Sequence, residues 1–263
     1  PVGPRSSNPD LTMKTLLPSL LASMLLAGSA FAQSPAASAP KGETTANVAT
    51  GPRLILVGDS TMAPRSGYGN ALCARFQQVG CINLARGGRS SMSFRAEGLW
   101  DTVLKLLNEG GPAKQKTLVL IQFGHNDQPG KPGRSTDLAT EFGPNMTGYV
   151  KDVKAAGGEV VLVTPLTRRT FKAGELPNDL RPWAEAILKV GAEQGVPVLD
   201  LNAVSHAAVA AMGQDGADTL AEAPPRFDRT HLGPKGAALF SEQVMEGLVK
   251  LKPELAGAKT LAP

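Results

Sequence analysis

The chain has 263 residues, 42% of them hydrophobic and 19% charged, with a formal net charge of +4. That is the make-up of an ordinary soluble globular protein with room for a substantial core, in one large domain or two small ones. The mild positive balance suits an acidic polysaccharide partner, but the long basic run and interleaved aromatics of a nucleic-acid binder are missing, and two cysteines are too few for a zinc site.

Residues 1–12 open on proline and read as upstream sequence, with translation expected to begin at Met13. From there Lys14 supplies a short basic region, Leu16 to Leu26 is apolar with one proline, and Ala30-Phe31-Ala32 fits a small-residue cleavage site. Residues 13–32 are therefore expected to be a secretory signal peptide, since the apolar run is too short and interrupted for a transmembrane anchor. The mature protein is expected to be secreted or periplasmic, with no membrane segment. Residues 33–50, rich in Ala, Ser, Thr and Pro, read as a flexible linker. A domain over 51–252 and a frayed tail over 253–263 complete the expected organisation.

Inside the domain, short apolar runs alternate with helical patterns. Leu54–Val57, Ile82–Leu84, Leu118–Phe123, Val160–Val163 and Val196–Leu199 read as strands. Helices are expected near Gly69–Gln78, Ala96–Leu107, Phe142–Ala156, Leu180–Gln194, Ala203–Met212 and Pro234–Leu251. Apolar strands without alternation, interleaved with amphipathic helices, imply a parallel sheet covered on both faces, a three-layer α/β sandwich. Cys73 and Cys81 are either bridged in an oxidising compartment or two buried thiols, and spacing alone leaves both open.

In such sheets ligands bind beyond the carboxyl ends of the strands. Ser60 sits there, directly after the first strand, and its hydroxyl needs a base to act as a nucleophile. A plain turn or helix-capping role for Asp59 and Ser60 is the alternative. Gly-x-Ser-x-Gly is absent because Met62 replaces the second glycine, which disfavours an α/β-hydrolase elbow. Of the three histidines, His206 lies in a helical pattern and His125 has no carboxylate three residues before it. His231 has Asp228 at that spacing, which could hold the imidazole proton on one nitrogen and turn the other toward Ser60; loop bracing would explain the pair equally well. Asn126 could donate its amide, and Gly88 its N–H, to a developing oxyanion, although turn chemistry accounts for each alone. Arg86, Arg89, Arg168 and Arg169 fall in loops near the same end and could meet uronate carboxylates.

Gly58-Asp59-Ser60, the Gly88 loop, Gly124-x-Asn126-Asp127 and Asp228-x-x-His231 stand in the order of the four blocks of the SGNH (GDSL-type) hydrolases, and the chain resembles that family from about Leu54 to Gly236. Its blocks Gly58 to Ala63, Asn83 to Ser91, Gly124 to Gln128, Thr164 to Phe171 and Asp228 to Leu232 are similar to those of rhamnogalacturonan acetylesterases, the family 12 carbohydrate esterases. Tyr68-Gly69-Asn70 stands where that group has Trp-Gly-Gln, and Met92 where it has arginine, both at positions expected along a substrate groove. The resemblance implies Ser60 as nucleophile, His231 as base and then acid, Asp228 as its orienter, and an oxyanion hole of the Ser60 and Gly88 N–H groups with the Asn126 amide. It also implies a flavodoxin-like sheet of five parallel strands, no cofactor or metal, and acetylated polysaccharide or oligosaccharide as substrate. From their positions near the site, Arg89, His125, Arg168 and Arg169 are the expected substrate contacts, and the protein is expected to be a monomer. A lipase, thioesterase or arylesterase would share the same catalytic residues. A glycosidase using Asp127 and Asp228, or a non-catalytic carbohydrate-binding protein, are the rival classes.

Overall fold

The computed structural model describes residues 52–109 and 116–258. The expected upstream segment 1–12, signal peptide 13–32 and linker 33–50 lie outside the described residues, as do residues 259–263 of the tail.

Five strands form where the apolar runs lie: β1 (Arg53–Gly58), β2 (Gly80–Asn83), β3 (Thr117–Gln122), β4 (Glu159–Val163) and β5 (Val198–Leu199). Every residue of β3 is buried, as are five of the six in β1, because helices cover both faces of the sheet. All pairings are parallel, in the order β2-β1-β3-β4-β5. This is the flavodoxin-like doubly wound order, whose topological switch lies between β1 and β3. Their register sets Gly58 beside Gln122, so the loops that follow these two strands leave the sheet side by side.

The helices are α1 (Gly69–Ala74), α2 (Ser93–Ala96), α3 (Leu99–Asn108), α4 (Gly143–Ala155), α5 (Arg181–Gln194), α6 (Leu201–Asp218) and α7 (Pro234–Leu251). The period-two alternation of strand side chains divides the core. Leu54, Leu56 and Leu120 face α1, α6 and α7, where they meet Leu72, Val209, Phe240 and Val244. Ile55, Val57 and Ile121 face α3, α4 and α5, where they meet Val103, Tyr149 and Ile187. Sheet and helices thus make the three expected layers. No helix among the described residues is long and apolar enough to cross a membrane.

Several boundaries differ from expectation for local reasons. The single helix expected over Ala96–Leu107 is broken into α2 and α3 at Gly98, which takes a left-handed conformation (φ 72°). The last strand shrinks to two residues, and α6 runs on to Asp218 across a break at Gly213 (φ 66°, ψ 177°). The tail expected from 253 is corrected over its first part: Pro253–Ala258 forms a 3-10 helix, and Leu255, only 4% exposed, packs into the core. Cys73 and Cys81 are bridged, with Cα atoms 5.3 Å apart, fastening α1 to the edge strand β2; the alternative of two free thiols is set aside.

Candidate active site

At the end of β1 the chain turns sharply. The Asp59 carbonyl accepts from the N–H groups of Met62 (3.2 Å) and Ala63 (3.0 Å), while its carboxylate Oδ1 accepts from Thr61 N–H (2.9 Å) and Thr61 Oγ1 (2.8 Å). Below this turn the buried Gln122 donates from Nε2 to Thr61 Oγ1 (2.6 Å) and accepts from Tyr68 Oη (2.7 Å). Ser66 Oγ donates to the Ser60 carbonyl (2.7 Å), and the backbone of Thr61 leaves no room for a side chain at Gly67. Asp59 is wholly buried, with His125 Nδ1 3.4 Å from its Oδ2. Burial pushes the Asp59 carboxyl up, but the facing imidazole and the Thr61 hydrogen bonds more than offset this and hold it below the usual carboxylate value. The result is a rigid polar mount that presents Ser60, 9% exposed, at the mouth of the sheet.

The loop between α6 and α7 brings the partner group. Asp228 Oδ1 accepts from the N–H groups of Thr230 and His231, each at 2.7 Å, in a tight Asx-type turn. Asp228 Oδ2 lies 2.8 Å from His231 Nδ1, and His231 Nε2 lies 2.8 Å from Ser60 Oγ, across 171 residues of chain. With Nδ1–H held by the carboxylate, Nε2 is left to accept the serine proton. Burial raises the Asp228 carboxyl, but the hydrogen bonds from His231 and Thr230 bring it below the usual value, so it stays ionised beside the imidazole.

Arg169 holds this loop. Its side chain is fully buried and its guanidinium donates to three carbonyls, those of Asp228 (3.1 Å), Thr230 (3.3 Å) and His231 (2.5 Å). Its own N–H donates to the Arg229 carbonyl at 2.9 Å. Burial pulls the Arg169 guanidinium down to about 10, still far above neutrality, so it is a cation at working pH. Leu232 N–H donates to the Ser66 carbonyl (2.9 Å), which joins the loop to the Ser60 mount.

On the other side of Ser60 stands the Gly88 loop. A Cβ built on Gly87 would lie 3.7 Å from the Ser60 Cβ, and Gly88 takes φ +79°, a conformation that favours glycine. Neither Ser60 N–H nor Gly88 N–H has an acceptor among the described residues. Asn126, 7% exposed, donates from Nδ2 to the Arg89 carbonyl (3.0 Å), which orients its amide toward the same loop. Asp127 fastens the two loops together: its carboxylate accepts from Ser91 N–H (3.0 Å), Ser91 Oγ (2.5 Å) and Thr136 Oγ1 (3.1 Å). Burial pushes the Asp127 carboxyl up to about 6, against the pull of these hydrogen bonds. An assembly of hydroxyl, imidazole, carboxylate and free N–H donors is able to attack a carbonyl and steady the oxyanion that results.

Ser60, Asp228 and His231 are thus brought together, with Gly88 and Asn126 beside them. The expected substrate contacts fare differently. His125 is only 2% exposed and packs against Asp59, and Arg169 is consumed by the 228–231 loop, so both are corrected from substrate contacts to internal supports. Arg89 is engaged by Glu97 (2.6 Å) and by the Gly87 carbonyl (2.8 Å), and Arg168 pairs with Asp179. His206 accordingly plays no part, its Nε2 lying 2.9 Å from the Leu176 carbonyl. Asp127, wholly buried and saturated by Ser91 and Thr136, cannot serve as the exposed acid or base of a glycosidase. Tyr68, expected along the groove, is buried with its hydroxyl on Gln122. Gln122 itself was missed, although a lone amide within an otherwise aliphatic strand is a signal that a buried partner awaits it. Among the described residues no group of three or more His, Cys, Asp or Glu side chains is placed to hold a metal ion.

Residues 56–239 match the model of the GDSL-like Lipase/Acylhydrolase family. The rhamnogalacturonan acetylesterase RhgT of Bacillus subtilis (strain 168) is 30% identical over 218 residues, covering 76% of this chain and 90% of its own length. Among solved structures, YxiM of Bacillus subtilis superimposes with a TM-score of 0.63 at 25% identity, over 76% of this chain and 56% of that one. A catalytic mutant of Axe2, an acetylxylan esterase from Geobacillus stearothermophilus, shares the fold with a TM-score of 0.57 at 16% identity, over 75% and 94% of the two chains. With five parallel strands in the order of that fold and a family match spanning most of its length, the chain belongs to the GDSL-like lipase/acylhydrolase family and is an esterase.

Proposed function

We propose that this chain is an exported carbohydrate O-acetylesterase that removes acetyl groups from pectic, rhamnogalacturonan-like polysaccharide through an acetyl-enzyme on Ser60. The observation that carries the reading is the continuous line from Ser60 Oγ through His231 to Asp228, with 2.8 Å at each link. RhgT supports the choice of an acetylated sugar polymer as substrate. The expected signal at 13–32 and the Cys73–Cys81 bridge support export, and the protein is proposed to act as a monomer.

Ser60 Oγ attacks the acetyl carbonyl carbon while His231 Nε2 takes the hydroxyl proton. The carbonyl electrons move onto oxygen, where the N–H groups of Ser60 and Gly88 and the Asn126 amide receive the charge. As the bond from carbon to the sugar oxygen breaks, that oxygen takes the proton from His231 and departs as an alcohol. Water then attacks the acetyl group, giving its proton to the same imidazole; collapse frees acetate and returns the proton to Ser60. Asp228 keeps the ring in one tautomer and steadies the transient imidazolium. The test is acetate release from acetylated rhamnogalacturonan, acetylated xylan and long-chain acyl esters, with Ser60→Ala as control. Preference for the pectic substrate supports the reading, and preference for long-chain esters refutes it.

A further inference from the structure

Beside Ser60 lies a cavity of about 510 Å3 between residues 63–66, residues 83–87 and the start of α3. Gly87 lines it, and a Cβ built on Gly87 would lie 3.7 Å from the Ser60 Cβ, so one wall of the cavity borders the place where an ester would react. Leu84 and Leu99 give it apolar wall, and Arg65 and Arg86 are both exposed at its edge. No Asp or Glu lines the cavity. Neither guanidinium has a hydrogen-bond or ion-pair partner among the described residues, whereas the other arginines around the site are engaged: Arg89 by Glu97, Arg168 by Asp179, Arg134 by the Gly88 carbonyl (3.4 Å) and Arg169 by the carbonyls of the 228–231 loop.

Two uncompensated guanidinium groups over an apolar wall call for a ligand that carries an anion on a body able to pack. Arginine's planar fork matches a carboxylate in two parallel hydrogen bonds, while a sugar ring supplies C–H surface to the wall. We infer that this cavity is a subsite for a hexuronate residue next to the acetylated sugar, with Arg65 and Arg86 receiving its carboxylate. The inference rests on the proposed action on acidic polysaccharide, and gives that preference a physical seat. Arg65 carried no signal in the sequence, because only the fold brings residues 63–66 against residues 83–87.

The test separates the subsite from the chemistry by measuring binding without turnover. Calorimetric titration of Ser60→Ala with an unacetylated oligogalacturonate and with a neutral xylo-oligosaccharide gives the reference. Adding Arg65→Gln and Arg86→Gln, whose side chains are exposed and make no hydrogen bond among the described residues, is expected to weaken uronate binding about tenfold, by loss of two charge-assisted contacts, and to leave the neutral sugar unchanged. Raising the salt concentration is expected to weaken the uronate complex of the parent and to have little effect on that of the double variant. Absence of uronate binding by the parent, or equal affinity with and without the two arginines, overturns the subsite. Acetate release from acetylated substrates by the wild-type enzyme is scored separately, so failure of the esterase reading leaves the binding result interpretable.

Discussion

Two halves of the site are held by opposite means. Ser60 stands on the end of a central strand, over the buried chain of Asp59, Thr61, Gln122 and Tyr68, and its position is a property of the sheet. Asp228 and His231 stand on a loop outside any helix or strand, fixed by their own Asx turn and by one buried side chain, Arg169. The support of the sheet-borne nucleophile is buried and continuous with the strands themselves, through Gln122 in β3 and the turn that ends β1. A loop-borne base needs a support of its own, and a guanidinium is suited to it: five N–H donors in a rigid fork can satisfy several loop carbonyls at once.

The sharpest way to break this arrangement is to remove either half. Ser60→Ala and His231→Ala are each expected to lower kcat by on the order of a million-fold, and the double variant to be no worse than either, because the two act as a unit. Rates of acetate release from an aryl acetate measure this; additive losses would show that the halves work independently. Asn126→Ala removes one oxyanion donor and is expected to cost about 3 kcal/mol of transition-state stabilisation, a loss of 100-fold or more in kcat with KM little changed.

Arg169→Met separates the halves. It leaves the Ser60 mount untouched and strips three carbonyls of their donor. We expect about 100-fold loss in kcat, since a displacement of roughly 1 Å in a reacting group costs that much, together with a lower melting temperature. Arg169→Lys is expected to restore part of the activity. A methionine variant with full kcat would mean the loop holds itself.

The smallest effect concerns Asp127 and is one of stability. Its carboxyl titrates at about 6 in the folded protein against an ordinary value of 3.8. Unfolding therefore releases a proton between those values, and the contribution of Asp127 to stability is present below pH 4 and lost as pH rises toward 6. Denaturant unfolding of the wild type between pH 4 and pH 7 should show this loss superimposed on the other carboxylates, and Asp127→Asn should remove it. An identical pH dependence in the two proteins would contradict the assignment.

The three layers were legible because unbroken apolar runs such as Leu118-Val119-Leu120-Ile121 have no stable home except a sheet covered on both faces, whereas the flavodoxin-like arrangement of the strands was implied only by the family resemblance. Ser60, Gly88, Asn126 and His231 were legible because they follow such runs or stand in spaced blocks. The arginines were not. Arg169 looks in the sequence like a loop cation facing solvent, and its acceptors are 59 to 62 residues away in the chain. His125 likewise looks like a surface contact, until the register of β1 and β3 sets it against Asp59. Charge that is buried and matched by distant backbone leaves no local pattern; Arg86 was singled out by its loop beside Gly88, but that it and Arg65 are free while Arg89 and Arg168 are paired is visible only in the fold.

The most direct test of the central claim, that Ser60 is activated across the fold by His231, is mass mapping of the site of covalent labelling by a serine-directed fluorophosphonate, with the labelling rate compared in His231→Ala. The account predicts a single adduct on Ser60, formed at least about 1000-fold more slowly in the variant. An adduct on another residue, or an undiminished rate without His231, would contradict it.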